Sequence, residues 1–308
     1  MDRPIRVGTR QSALAIAQSK IIINQLSSKY PDLNFEIVGM KTKGDLLLDT
    51  KLDIIGGKGL FVNEIESALL EGTIDMAVHS MKDMPALMPE ELTITAVSER
   101  EDPRDVLITT DGTMLDGLKK GAIVGTSSLR REVQLLNMRP DLNIKQLRGN
   151  VLTRLDKLFA GEYDAIVLAA AGLIRLGLKE KCVQYFSVEQ MVPAIGQGIL
   201  GVQIKKGGKL QEILKSINCP NASLQLEAER IFMIRLNGGC STPIAAHAFI
   251  EGDTMRLVGM LASTRCKEGF RAIVHGDKHQ ARMLGERLAE LILKKLEKQE
   301  LEDKNENR

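Results

Sequence analysis

Three turns in this chain put arginine and small polar residues where a strand hands over to a helix. The richest is Gly125-Thr126-Ser127-Ser128-Leu129-Arg130-Arg131. It follows the apolar Ala122-Ile123-Val124, which reads as a buried strand. It precedes Leu129, Val133 and Leu136, whose spacing marks one face of a helix. Cations are normally unfavourable in a first helical turn, because the helix N-terminus already carries partial positive charge. Free backbone N–H groups, two serine hydroxyls and two guanidinium groups in one place make an anion site. The alternative is a solvated arginine pair, with Ser127 or Ser128 capping the helix. Arg148-Gly149-Asn150 with Arg154 repeats the pattern, and so does Gly8-Thr9-Arg10-Gln11-Ser12. Together the three turns suggest a ligand with several carboxylates or phosphates.

Other segments offer chemistry with less support. Val78-His79-Ser80-Met81-Lys82-Asp83-Met84-Pro85 follows a short apolar strand, and functional groups collect at such strand ends in open α/β sheets. Lys82 beside Asp83 can keep the carboxylate ionised, or the two form an ordinary surface pair in a loop. His79 is a candidate base or a structural residue. Gly56-Gly57-Lys58-Gly59 can cradle an anion, but it is no P-loop: Leu52 replaces the first glycine and Gly59 the Ser or Thr. Gly196-Gln197-Gly198-Ile199-Leu200-Gly201 matches the dinucleotide fingerprint in letters only. No strand precedes it and no helix follows, so a hinge is the better reading. Gly238-Gly239-Cys240 puts a lone thiol on a turn after a helix, as a nucleophile, an attachment point or a small buried residue.

Bulk properties narrow the classes. A chain of 308 residues holds two or three domains. A net charge of +2 gives no global attraction to nucleic acid or an anionic membrane, and 3% aromatics leave little for base stacking. No apolar run approaches a membrane span, and no signal-peptide core follows Met1. Cys182, Cys219, Cys240 and Cys266 form no paired CxxC, so neither zinc nor a disulfide framework is expected, and a reducing cytoplasm fits.

The elements that must hold these residues alternate. Strands are expected at 5–7, 35–40, 74–78 and 92–97. The helices between them carry Leu14, Ala17 and Ile21, then Phe61, Ile65 and Leu69, the second stopping near Gly72. Thr9 or Ser12 caps the first helix. This alternation predicts a parallel sheet. It restarts with strands at 106–108, 123–124, 143–147 and 165–170, and with a helix bearing Leu152, Leu155 and Phe159. Residues 100–105 and 193–201 read as crossovers. The C-terminal part reads as a helix with Leu224, Ala228 and Ile231, three strands, and a last helix striped by Ala281, Leu284, Leu288 and Leu291. The expected fold is α/β: two periplasmic-binding-protein-like lobes (1–99 with 199–217, and 105–193) joined by two crossovers, plus a small α+β domain at 220–308. Ligands commonly bind in the cleft between such lobes.

These segments, in this order, resemble the porphobilinogen deaminase (hydroxymethylbilane synthase) family over essentially the whole chain. The resemblance rests on Val7-Gly8-Thr9-Arg10, Gly56-Gly57-Lys58-Gly59-Leu60-Phe61, His79-Ser80-Met81-Lys82-Asp83, residues 99–105, residues 125–131, Arg148-Gly149-Asn150-Val151, Gly196-Gln197-Gly198 and Leu236-Asn237-Gly238-Gly239-Cys240. It implies a transferase that joins four porphobilinogen molecules head to tail with loss of ammonia. It implies a dipyrromethane cofactor held by a thioether at Cys240, and Asp83 as the essential carboxylate. Cofactor contacts fall to Lys82, Thr126, Ser128, Arg130, Arg131 and Gly149. Substrate contacts fall to Arg10, Ser12, Ser80, Arg148, Arg154 and, from Gly172-Leu173-Ile174-Arg175-Leu176-Gly177, Arg175. Lys58 falls on a flexible loop. A cytoplasmic monomer without metal, nucleic acid or membrane partners is implied.

One departure is visible: some members have a lysine where this chain has Ile54, with Lys51 a possible substitute. Ser241-Thr242-Pro243 lies where the family varies. The chemistry agrees with the residues. Each porphobilinogen brings an acetate and a propionate, which guanidinium groups hold bidentately. A carboxylate suits the positive pyrrole N–H and the proton lost from the α-carbon. Two rival readings are a binding module for an anionic ligand and a phosphate-ester enzyme using residues 56–59. The first needs neither Asp83 nor Cys240, and the second lacks metal-binding carboxylates near that loop.

Overall fold

The computed structural model describes residues 3–42, 62–237, 243–262 and 269–306. Lys51, Ile54, Lys58, Cys240 and Cys266 therefore lie outside the described residues, as does Phe61.

The first lobe contains β1 (Ile5–Arg10), α1 (Ala13–Lys29), β2 (Phe35–Met40), α2 (Asn63–Glu71), β3 (Met76–Ser80) and β4 (Leu92–Val97). Its sheet runs β2-β1-β3-β10-β4, with β10 (Leu200–Lys205) returning from late in the chain. β1 lies parallel to β2 and β3, but β10 is antiparallel to β3 and β4. The parallel expectation is thus corrected to a mixed sheet. A parallel neighbour needs a long crossover, usually a helix, whereas β10 enters as extended chain from the other lobe.

The second lobe holds β5 (Asp105–Ile108), β6 (Ile123–Gly125), α3 (Leu129–Met138), β7 (Asn143–Lys145), α4 (Val151–Phe159), β8 (Ala165–Ala169), α5 (Ala170–Arg175) and β9 (Gln184–Tyr185). Its sheet order is β7-β6-β8-β5-β9, again mixed because β5 opposes β8 and β9. The chain crosses between the lobes twice, from β4 to β5 and from β9 to β10. After α6 (Gln211–Lys215) come α7 (Pro220–Arg235), the antiparallel meander β11 (Ile244–Glu251), β12 (Thr254–Leu261) and β13 (Phe270–Asp277), and α8 (Ala281–Glu306). Phe232, Leu257, Leu284 and Leu288 form the core beneath this sheet.

Helix faces are where the expectations need most correction. In α3 the buried residues are Arg130, Arg131, Gln134 and Leu135, while Leu129 is 37% exposed. In α4, Leu155 and Leu158 are buried, and Leu152 and Phe159 are exposed. In α1 the buried stripe is Gln18, Ser19, Ile22 and Leu26. Leu14 lies instead toward Gly172 of the second lobe. On α8, Ile292 takes the buried place expected for Leu291. In α3 and α1 the shift has one origin: polar side chains with buried partners take places on the core face.

The third domain grips both crossovers through one buried carboxylate. Glu229 of α7 accepts from the backbone N–H of Gly196 (2.7 Å) and of Ala248 (2.8 Å), and lies 2.8 Å from the Arg100 guanidinium. Arg100 also meets His247 Nδ1 of β11. Close by, the two crossovers touch directly. Gly198 has φ +90°, and a Cβ there would sit 2.3 Å from the Glu101 carbonyl oxygen. We expect Gly198→Ala to lower stability by roughly 2–4 kcal/mol, read as a fall in the thermal midpoint. An unchanged midpoint would contradict this close approach.

Candidate active site

Strand ends of the two lobes present the expected residues to each other. In the first lobe, Arg10 ends β1 and Ser12 caps α1, its hydroxyl accepting from Ala15 N–H at 3.2 Å. Thr9 Oγ1 instead donates to the Ala15 carbonyl. Ser80 ends β3 and accepts from the buried Gln18 Nε2 at 2.9 Å. A single 3₁₀ turn, Met81–Asp83, follows. It buries Met81, half-buries Lys82 and exposes Asp83. A small pocket of about 60 Å³ opens there, lined by Arg10, Ser12, Gln18, His79, Ser80 and Asp83 among others.

In the second lobe, Ser127 is tied away from the helix. Its hydroxyl donates to the Leu147 carbonyl at 2.9 Å and accepts from the Leu147 N–H at 3.1 Å. Ser128 is the N-cap residue of α3 but makes no side-chain cap; its N–H donates to Thr126 Oγ1 at 3.2 Å. Gly149 adopts φ +112°, and a Cβ would collide with Thr153 at 2.8 Å. Its carbonyl accepts from Arg154 Nε at 2.8 Å, while Asn150 caps α4.

Arg130 and Arg131 are not solvated. They are 5% and 6% exposed, and both hold Asp105, which is fully buried. Arg130 Nη1 lies 2.7 Å from Asp105 Oδ2, and Arg131 Nη2 lies 2.7 Å from Oδ1. Gln197 Nε2 from the return crossover is a third side-chain partner of Asp105, at 3.0 Å. Burial alone would raise the Asp105 pKa, but the two guanidinium groups outweigh it and hold the carboxyl well below the usual range. Asp105 is the member of this group that motif reading missed. Its signal in the sequence was an acidic residue just before the strand expected at 106–108, in the same lobe as two arginines with no assigned counter-ion.

Electrostatics join the lobes. Burial lowers Lys82 to about 8; Asp83 opposes this, Arg131 adds to it, Asp105 opposes and Arg130 adds. Burial likewise lowers Arg154 to about 10, with Arg131, Arg10 and Arg148 adding and Asp83 opposing. Lys82 and Asp83 of the first lobe thus share one field with Arg130, Arg131 and Arg154 of the second. Arg175 stands apart: its Nη2 donates to the Gly198 carbonyl at 2.6 Å, at the crossover. A larger cavity of about 470 Å³ also lies elsewhere, between Gln134, Met138 and Arg271, and holds none of these groups. Among the described residues, no three His, Cys, Asp or Glu form a group that could hold a metal ion.

The fold and the site define a class: a two-lobed α/β protein that gathers cations of both lobes where their strand ends meet. Family models agree and go further. "Porphobilinogen deaminase, dipyromethane cofactor binding domain" matches residues 5–212, and "Porphobilinogen deaminase, C-terminal domain" matches residues 223–294. A porphobilinogen deaminase of Alkaliphilus metalliredigens is 46% identical over 304 residues, covering 98% of this chain and 96% of the relative. One of Syntrophobacter fumaroxidans is 47% identical over 285 residues, covering 92% of each. Among solved structures, a Salmonella typhimurium periplasmic binding protein with high arginine specificity covers 72% of this chain and 96% of its own, at 14% identity and a TM-score of 0.40.

The chain belongs to the porphobilinogen deaminase family. Its activity is that family's transferase reaction, the polymerisation of porphobilinogen in porphyrin biosynthesis, with a dipyrromethane cofactor. The residues fit that group: cations held below their ordinary pKa by burial and by one another gain most from a ligand rich in carboxylates. Asp105→Asn should leave Arg130 and Arg131 buried without a counter-charge and cost about 3–5 kcal/mol. Denaturant unfolding checks this, and a loss under about 1 kcal/mol would show the triad to be dispensable.

Proposed function

We propose that the reaction takes place in this cleft, with Asp83 as the catalytic carboxylate. One observation carries the reading: cations from both lobes, depressed by burial and mutual repulsion, surround a single exposed carboxylate. Arg10, Arg148 and Arg154, with Ser12 and Ser80, hold the acetate and propionate of incoming porphobilinogen. Lys82, Arg130, Arg131, Thr126, Ser128 and Gly149 hold the carboxylates of the dipyrromethane. Arg130 and Arg131 do so from a fixed base, because Asp105 locks their orientation. Arg175 serves indirectly, by bracing the crossover. Lys58, which the resemblance assigns to a flexible loop, lies outside the described residues.

Cys240, also outside the described residues, carries the thioether. When bound, the dipyrromethane supplies the pyrrole α-carbon to which the first substrate is joined. Asp83 accepts the substrate pyrrole N–H as positive charge develops on the ring. The C–N bond of the aminomethyl group breaks and ammonia leaves. A C–C bond forms, and Asp83 moves the proton lost from the α-carbon. We read the protein as a cytoplasmic monomer. One chain supplies both walls of the cleft, Cys182 and Cys219 are free thiols, and no helix among the described residues is long and apolar enough to cross a membrane.

Incubation with porphobilinogen, following ammonia and a pyrrolic chromophore, tests the reading. Asp83→Asn should keep the fold and a covalent adduct of two pyrrole units by intact mass, yet lose about 10²-fold or more in turnover. Near-normal turnover would remove Asp83 from the mechanism. Cys240→Ser should lose the adduct, and a wild-type protein without any adduct would overturn the attachment.

A further inference from the structure

Behind the cleft a buried polar chain crosses the first lobe, and the roles above leave it unused. His79, at the end of β3, lines the pocket beside Asp83 and is only 6% exposed. Its Nε2 lies 2.9 Å from Oε1 of Gln203 on β10. Gln203, fully buried, turns its Nε2 toward Glu66 of α2, donating to Oε1 at 2.8 Å. The same nitrogen faces the Met88 sulfur at 3.8 Å. Burial raises the Glu66 pKa and the Gln203 hydrogen bond opposes that by favouring the carboxylate; a carboxylate and a thioether both only accept, so the amide nitrogen belongs on their side and the amide oxygen faces His79. An amide oxygen also only accepts. The imidazole proton therefore sits on Nε2, and Nδ1 keeps its lone pair.

We propose that Gln203 is a positioning residue for the reaction: oriented by Glu66, it holds His79 as the neutral Nε2–H tautomer, so that the imidazole can accept but not donate a hydrogen bond beside Asp83. This rests on the reading of Asp83 as the catalytic carboxylate. An imidazolium in this place would turn a second N–H and a positive charge toward Asp83. It would then compete with the substrate pyrrole N–H for the same oxygens. Burial pushes His79 down to about 4, against the Gln203 hydrogen bond and the charge of Asp83. Asp83 on the strand-end turn favours an imidazolium and burial opposes it. Arg10 at the end of β1 lines the same pocket, Lys82 precedes Asp83 on the turn, and Glu66 of α2 lies behind Gln203. A carboxylate in direct contact with Nε2 would tip that balance, and an amide does not.

The double variant Glu66→Gln/Gln203→Glu tests this. It keeps one amide and one carboxylate in the chain but moves the carboxylate onto His79, with volume and net charge unchanged. In the dipyrromethane-loaded enzyme with porphobilinogen, kcat and KM are followed from about pH 6 to about pH 9. The ring now holds a proton near neutrality, so the acidic limb of kcat should move up by about one pH unit or more. Near pH 7, kcat should fall about tenfold and recover as pH rises, with KM changed less than about twofold. A profile superimposable on the wild type, or a loss equal at every pH, overturns the proposal. Should the variant fail to fold, imidazole ¹⁵N spectra of the wild type decide. They should show the Nε2–H tautomer without imidazolium at about pH 6; an Nδ1–H tautomer or an imidazolium there overturns the proposal. These spectra do not depend on the role of Asp83, whose own failure would appear as retained turnover in Asp83→Asn.

Discussion

A single buried carboxylate makes the cation-rich lobe possible. Arg130 and Arg131 stand in the first turn of α3, where the helix dipole already opposes positive charge. Both are nearly inaccessible. Two guanidinium groups cannot be taken out of water side by side without a counter-charge. Asp105 supplies it, one oxygen to each arginine, and its position does more than balance charge. It opens β5, immediately after the chain enters the second lobe, and takes Gln197 from the strand of chain that leaves it. Arg131 reaches on to the Val167 carbonyl of β8, and Arg130 to that of Val192. Helix α3, strands β5 and β8, and both crossovers are thereby fixed to one point.

The same device recurs at the third domain, with a different purpose. Glu229 is also fully buried, but burial outweighs Arg100 and its pKa is raised rather than lowered. It spends its oxygens on backbone N–H groups of Gly196 and Ala248. A second link comes from Gln134 on α3, which bonds Val192 in both directions and receives Arg271 of β13. The domain that carries the Cys240 segment is therefore coupled to the crossovers by Glu229 and to the arginine helix by Gln134. The place of this domain against the crossovers and the arginine helix is set by buried polar contacts.

Much of this was legible in the sequence, and the failures share a cause. Strands β1 to β4 and the caps at Ser12 and Gly72 follow from short apolar runs and from residues with one dominant local preference. The arginine turns stood out in the sequence because residue type and position conflict with the helix dipole. The inward face of α3 was not. Periodicity counts apolar residues, and this helix buries Arg130, Arg131 and Gln134 against partners far away in the chain. The direction of β10 was equally hidden, since strand pattern does not encode which way a returning segment runs. Motif spacing likewise gave no sign of the His79–Gln203–Glu66 chain, whose members lie more than a hundred positions apart at both links.

The cleft thus holds two kinds of cation, and the difference bears on how it handles a ligand that grows in charge. Arg130 and Arg131 are already balanced by Asp105, so they can orient a carboxylate without changing state. Lys82 and Arg154 are depressed by burial and by their cationic neighbours. A carboxylate bound beside Lys82 would raise that pKa, so by linkage the ammonium would persist to higher pH in a filled cleft than in an empty one. With its pKa near 8 in the protein alone, Lys82 is mostly charged at neutral pH, and rising pH would remove that charge from an empty cleft before a filled one. An arginine there could not respond in this way, because its proton is never lost in the accessible range. On the proposed reading, the lysine beside Asp83 is therefore the charge that can change with pH, while the arginine pair is held in place by Asp105.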